Sequence, residues 1–186
     1  MGHRRDTAGK DVHRPGPVIW LTGLSGAGKS TVALELVGRL RESGRSVVLL
    51  DGDELRAVLG AANLHDSGAR RNLALVYGRM CALLSGQGHT VICATISLRH
   101  EVHAWNRDHL PNYVEVFLDV PLQELRRRDP KGIYASSGEW DRIVGVGIGA
   151  EFPKAPHMVI RNFGDLGAGA SARHIIDFCV QRGVWE

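Results

Sequence analysis

The sequence predicts an α/β fold, a parallel sheet of about five strands covered by helices on both faces. Two observations predict it. Short, almost wholly apolar runs alternate with stretches whose apolar residues fall at helical spacing, as expected of strands buried on both faces and joined by right-handed crossovers. A glycine-rich turn from Gly23 to Gly28 separates the first run from the first helical stretch, where such a sheet passes from strand to helix.

Val18-Ile19-Trp20-Leu21 is the first strand, and the helix after the turn begins near Lys29 and continues through Leu40, ended by Gly44. Ser46-Val47-Val48-Leu49-Leu50 is the second strand, ending at Asp51. Leu73, Val76, Tyr77, Met80 and Leu84 give residues 70–84 helical spacing, closed by Gly86 and Gly88. Residues 90–96 form a third apolar strand. Residues 101–110 form a helix with Trp105 facing inward, and Pro111 stops it. Residues 113–118 are the fourth strand, Met158-Val159-Ile160 a short fifth, and residues 171–180 a closing helix. Residues 126–149 are charged and glycine-rich with few large apolar side chains, so a mobile lid is expected there. With no internal repeat, residues 17–186 read as one domain behind a flexible basic tail, residues 1–16.

A content of 44% hydrophobic and 23% charged residues is that of a soluble globular protein. No run approaches the length of a membrane span, and the tail lacks the apolar segment of a secretory leader; a cytoplasmic protein without membrane partners is expected. Cys81, Cys93 and Cys179 are odd in number, scattered and set among apolar residues, the pattern of buried free thiols. His100 and His103 lie three apart with no third ligand nearby, which favours surface or helix-terminal positions over a metal site. A net charge of +3 suits a polyanionic small substrate, and no interleaving of basic and aromatic residues points to nucleic acid.

Gly23-Leu24-Ser25-Gly26-Ala27-Gly28-Lys29-Ser30-Thr31 is a complete G-x-x-x-x-G-K-[ST] loop. Glycines let the backbone curl around phosphate oxygens with its N–H groups inward, at distances a Cβ would obstruct. The helix starting near Lys29 adds its positive end. Lys29 is expected to reach the β- and γ-phosphates, and the Ser30 hydroxyl to ligate the Mg²⁺ that the nucleotide carries. Sites on such sheets lie at the carboxyl ends of strands, which selects this loop, residues 51–53, Ile96-Ser97 and Asp119.

In Leu50-Asp51-Gly52-Asp53-Glu54-Leu55-Arg56, Asp53 can serve as base or orienting group for an acceptor hydroxyl and Arg56 as holder of the acceptor's charge. Either aspartate can instead cap the next helix. Arg128-Asp129-Pro130-Lys131-Gly132 brings positive charge to the transferring phosphoryl group, or is a solvated run; Arg126 and Arg127 belong to the surface.

Together these residues resemble the adenylylsulfate kinase family over roughly residues 18–160, through the phosphate loop, Asp51-Gly52-Asp53 with Arg56, Ile96-Ser97, Glu115-Val116-Phe117-Leu118-Asp119-Val120-Pro121 and Arg128-Asp129-Pro130-Lys131-Gly132-Ile133-Tyr134. The resemblance implies a P-loop kinase-like fold and transfer of the ATP γ-phosphate to the 3′-hydroxyl of adenosine 5′-phosphosulfate, with sulfate assimilation, sulfonation chemistry and specialised metabolism all open as its pathway. It also implies that Asp53 is the catalytic carboxylate, that Arg56 and Arg70 bind the acceptor, that the Ile96-Ser97 backbone forms part of its pocket, and that Lys131 touches both substrates from the lid. Family members are often dimers, which leaves a homodimer open for this chain.

The acceptor side departs from the family pattern. Asp-Arg-x-x-Asn appears as Ala69-Arg70-Arg71-Asn72-Leu73, Ile-Ser-Pro as Ile96-Ser97-Leu98, and Thr-Gly-Ile-Asp as Val144-Gly145-Val146-Gly147, in a lid about two residues short. The two phenylalanines that sandwich the adenine fall at His65 and Ile143, which removes stacking of roughly 1–3 kcal/mol per base by analogy with nucleic-acid binders. Residues 94–97 and 103–107 are similar to a divergent branch whose acceptor is a pyrimidine nucleotide, cytidine diphosphoramidate. Two other classes are a GTP-dependent switch and a binding module without turnover. The first needs Asn-Lys-x-Asp, and the sequence has no Asn-Lys pair.

Overall fold

The computed structural model describes residues 14–61, 66–130, 132–135 and 143–185. Along the chain run β1 (Val18–Thr22), α1 (Lys29–Glu42), β2 (Val47–Asp51), α2 (Gly52–Val58), α3 (Ser67–Ser85), β3 (Thr90–Ala94), α4 (His100–His109), β4 (Tyr113–Leu118), α5 (Leu122–Arg128), β5 (Met158–Ile160) and α6 (Ala168–Gln181). The five strands form one sheet in the order β2-β3-β1-β4-β5, every pairing parallel. β1 therefore lies between β3 and β4, and the crevice at the carboxyl end of β1 is where an α/β sheet takes its ligand.

Strand alternation sorts side chains between two apolar layers. Ile19, Leu21, Ile92, Val114 and Val116 point to the layer of α1 and α6, with Leu36, Ala172 and Ile175. Val18, Trp20, Leu50, Val91 and Cys93 point to the layer of α3 and α4, with Tyr77, Cys81 and Val102. Ile19, Trp20 and Leu21 are wholly buried, each contributing roughly 1.5–3 kcal/mol. All three cysteines are free and buried, as their surroundings suggested.

The elements depart from the sequence reading at their ends, and for local reasons. α3 begins at Ser67 because the Asp66 carboxylate caps it, accepting the Ala69 N–H at 2.8 Å. β3 stops at Ala94 rather than running to residue 96, and Ser97 then turns out of extended conformation with φ 28°. Arg126 to Arg128, read as the start of the lid, form the last turn of α5. Residues 1–13 of the expected tail lie outside the described residues; Gly16 donates its N–H to the Ser85 carbonyl at 2.8 Å and accepts from Ser85 Oγ at 2.5 Å.

Trp105 is half-buried and packs across α3 at Gly78, where an added Cβ would lie 2.7 Å from both the indole and Asn106 Oδ1. A helical Gly→Ala change ordinarily stabilises by up to about 1 kcal/mol, but overpacking costs about 1–3. Gly78→Ala is therefore expected to lower Tm, whereas Gly38→Ala in α1, where nothing stands within 4 Å of the new Cβ, is expected to raise it by about 2–4 °C per kcal/mol. Thermal melts of the two variants check both signs.

Candidate active site

The phosphate loop, Gly23 to Thr31, joins β1 to α1 in the central crevice. Gly28 caps α1 with φ 89°, and a Cβ there would meet Asn162 Nδ2 at 2.5 Å; at Gly23 a Cβ would meet the Leu118 carbonyl at 2.7 Å. Ser25, Gly26, Gly28, Lys29, Ser30 and Thr31 line a cavity of about 640 Å³, while Leu24 and Ala27 are buried beneath the loop. Lys29 Nζ donates to the Leu24 carbonyl at 2.8 Å. The loop is braced by Asn162, which donates to the Ala27 carbonyl at 2.8 Å and accepts from Ser171 Oγ at 2.9 Å. Arg128 lines the same cavity and is tied to Glu124 and to the Asn162 carbonyl, both at 2.8 Å.

The carboxyl end of β2 closes the opposite wall. Asp51 is buried and caps α2 by accepting the Asp53 N–H at 2.8 Å; its other oxygen accepts from Ser30 Oγ at 2.6 Å. The capping role allowed for Asp51 is thus present, joined to a link with the phosphate loop. Asp53, on the first turn of α2, pairs with Arg56 one turn on, and both line the cavity with Lys29 and Ser30. Asp119, also selected by the strand-end rule, lines neither this cavity nor the next.

A second cavity of about 290 Å³ opens beside the first and shares Ser25, Arg56, Thr95, Ile96 and Ile133 with it. Arg56, Arg70 and Arg99 supply its charge, and burial, then Arg56 and Arg99, hold the Arg70 guanidinium below its ordinary pKa. Its apolar wall includes Leu73, Tyr77, Ile143, Val144 and Ile148. Ile143, the position where the resemblance looks for an aromatic ring, is buried; His65, the other such position, lies outside the described residues. Ile96 and Ser97, which the resemblance assigns to an acceptor pocket, both line this second cavity.

Of the segment read as a lid, residues 131 and 136–142 lie outside the described residues, Lys131 among them. The neighbouring parts rest on the phosphate loop. Tyr134 is buried and donates its hydroxyl to the Ser25 carbonyl at 2.9 Å, while Asp129 accepts the Tyr134 and Ala135 N–H groups at 3.1 and 2.9 Å. Val144 and Ile148 form a bridge around Gly145, where a Cβ would lie 2.5 Å from Leu24 Cδ2. Arg126 and Arg127 are exposed, as expected.

His103 requires a correction. The sequence reading gave it a surface or helix-terminal place, but it is 3% exposed, held by the Ser97 carbonyl at Nε2 (3.0 Å) and facing Glu115 Oε1 at Nδ1 (3.3 Å). Glu115 is wholly buried on β4 and also pairs with Arg107. Burial holds the imidazolium form of His103 down, to about 4, and pushes Glu115 up against the opposing pull of Arg107. No group of three or more potential metal-ligating side chains occurs among the described residues, and no described helix is long and apolar enough to cross a membrane.

Asn162, Arg99 and His103 were missed. Asn162 and Arg99 each lie a few residues beyond a strand end, so the strand-end rule could have found them; nothing local marks His103, whose burial depends on β4.

The family model for adenylylsulphate kinase matches residues 15–161. The chain is 40% identical over 147 residues to a cytidine diphosphoramidate kinase of Campylobacter jejuni, covering 78% of this chain and 85% of that protein. It is 42% identical over 149 residues to an adenylyl-sulfate kinase of Paraburkholderia xenovorans, covering 78% and 83%. Its fold matches that of the Mycobacterium tuberculosis APS kinase CysC in complex with AMPPNP and APS with a TM-score of 0.82 at 35% identity, over 89% of this chain and 98% of that one.

Proposed function

The chain belongs to the adenylylsulfate kinase family and is a phosphotransferase, and from that premise we propose that it moves the γ-phosphate of ATP to the 3′-hydroxyl of a small nucleotide, with adenosine 5′-phosphosulfate the leading acceptor. The observation that carries this reading is the adjacency of two cavities, one lined by the phosphate loop and one by three arginines and an apolar wall, with Arg56 shared and Asp53 in the first.

In this reading the loop amides and Lys29 hold the β- and γ-phosphates, while Arg56, Arg70 and Arg99 hold the anionic 5′ group of the acceptor. Asp53 orients the hydroxyl and takes its proton as the new O–P bond forms and the bridging bond to ADP breaks. Arg128, which lines the phosphate-loop cavity, offsets charge on the transferring group, and the resemblance implies that Lys131 touches both substrates. The Ser30 hydroxyl and Asp51 carboxylate, hard oxygen donors 2.6 Å apart, fit Mg²⁺ and would hold it directly or through water. When bound, the ion neutralises charge on the phosphates.

A second acceptor, cytidine diphosphoramidate, is favoured by Ile143 in place of the stacking ring and by the 40% identity to a kinase named for it. Incubating the protein with γ-labelled ATP, Mg²⁺ and each acceptor separately tests both. Label on the 3′ position of one nucleotide is expected; ATP consumption that no nucleotide stimulates would contradict the kinase reading.

A further inference from the structure

The floor of the second cavity is an irregular backbone segment, residues 95–99, and its conformation is one a chain would not keep unaided. Ser97 has φ 28°, in the left-handed region that non-glycine residues seldom occupy and that persists only where the surroundings enforce it. Neighbouring contacts hold either side of it: Thr22 Oγ1 donates to the Ile96 carbonyl at 2.5 Å, the Thr95 and Ser97 hydroxyls are 2.8 Å apart, and the Leu98 carbonyl accepts the Glu151 N–H at 3.1 Å. The Ser97 carbonyl itself accepts the Arg99 N–H at 2.9 Å and takes one side-chain contact, from His103 Nε2 on α4 at 3.0 Å.

That contact fixes the tautomer. A carbonyl only accepts, so Nε2 carries the proton, and in a neutral ring Nδ1 is then a bare lone pair. Nδ1 faces Glu115 Oε1 at 3.3 Å, and neither atom has another hydrogen-bond partner. Two lone pairs buried face to face repel; a proton between them removes the repulsion, on nitrogen as an imidazolium–carboxylate pair or on oxygen as an imidazole–carboxylic acid pair. Arg107 anchors the other carboxylate oxygen and also donates to the Ala155 carbonyl at 2.7 Å, and His157 Nδ1 accepts the Glu115 N–H at 2.9 Å. Glu115 is thereby fixed on β4.

We propose that His103 is a positioning residue for the acceptor pocket: clamped by Glu115 through one shared proton, it holds the Ser97 carbonyl and so the cavity floor on which the acceptor nucleotide rests. His103 touches neither phosphate loop nor nucleotide; it acts through Ser97. The inference rests on the nucleotide-kinase reading for its kinetic consequence, and on the geometry alone for its structural one.

Three variants test it. His103→Leu removes the donor, His103→Gln keeps an N–H at the position of Nε2, and Glu115→Gln supplies an amide N–H to Nδ1 in place of the shared proton. Backbone hydrogen exchange at residues 95–99, measured without ligand, is expected to quicken by about tenfold or more in His103→Leu and to stay near the parent rate in the two glutamine variants. With adenosine 5′-phosphosulfate and with cytidine diphosphoramidate, the acceptor KM of His103→Leu is expected to rise about tenfold or more while the ATP KM holds, and His103→Gln is expected to recover most of the difference. Unaltered exchange at residues 95–99 in His103→Leu would overturn the inference whatever the activity. Equal rises in both KM values would overturn it too, by showing a general loss of structure. A parent protein inactive on every nucleotide would instead count against the kinase reading, leaving the exchange result to decide this one.

Discussion

Lys29→Ala lowers kcat for phosphoryl transfer by about 10²–10³-fold, the loss expected when one charged donor to the developing phosphate charge is removed from a preorganised site. The side chain sits at the first residue of α1, where the helix dipole and the loop N–H groups already favour anions, and its ammonium is parked 2.8 Å from the Leu24 carbonyl of the same loop. That hydrogen bond contributes about 0.5–1.5 kcal/mol to the fold, and its loss lowers the melting temperature by about 1–6 °C. Steady-state kinetics beside a thermal melt separate the two effects. A variant that keeps full turnover would remove the loop from the chemistry, and one that loses turnover only because it unfolds would show it in the melt.

Asp53→Asn carries the second large effect. Asparagine preserves the shape of the side chain and leaves untouched the Asp53 N–H that caps onto Asp51, but it cannot take a proton from the attacking hydroxyl. Loss of a positioned base slows such reactions by about 10²–10⁴-fold, so kcat should fall within that range while ATP binding, measured by titration without acceptor, changes little. The ion pair with Arg56 is also lost, but it is partly exposed, with 46% of the Asp53 side chain accessible, and such pairs contribute about 0–1 kcal/mol. Unchanged turnover would take Asp53 out of the mechanism.

The sheet was legible because strands buried on both faces cannot hide: Val18–Thr22 and Thr90–Ala94 are apolar almost throughout, and their length and glycine flanks admit little else. The phosphate loop was legible because its chemistry demands particular residues at particular spacings. α2 was harder. Asp51-Gly52-Asp53 signals a possible cap without fixing the helix's bounds; Asp51 caps a helix that starts at Gly52, where the Thr95 hydroxyl and the Ala94 carbonyl, 3.1 and 3.2 Å from where a Cβ would be, favour a glycine. α5 was concealed in a run of arginines, of which Arg127 and Arg128 pair with Glu124 one turn back and hold its carboxyl at a pKa of about 2. The burial of His103 was not legible at all: three residues from His100 it looks like any exposed helix histidine, and only the approach of Glu115 from β4 distinguishes it.

The most direct measurement of the donor and acceptor arrangement is a crystal structure with a non-hydrolysable ATP analogue, Mg²⁺ and the acceptor nucleotide bound together. The expected result has the triphosphate on the amides of Gly23 to Thr31, the acceptor's 5′ group among Arg56, Arg70 and Arg99, and its 3′-hydroxyl about 2.6–3.2 Å from an Asp53 carboxylate oxygen. An acceptor seated elsewhere, or one whose 3′-hydroxyl points away from Asp53 and the γ-phosphate, would contradict it.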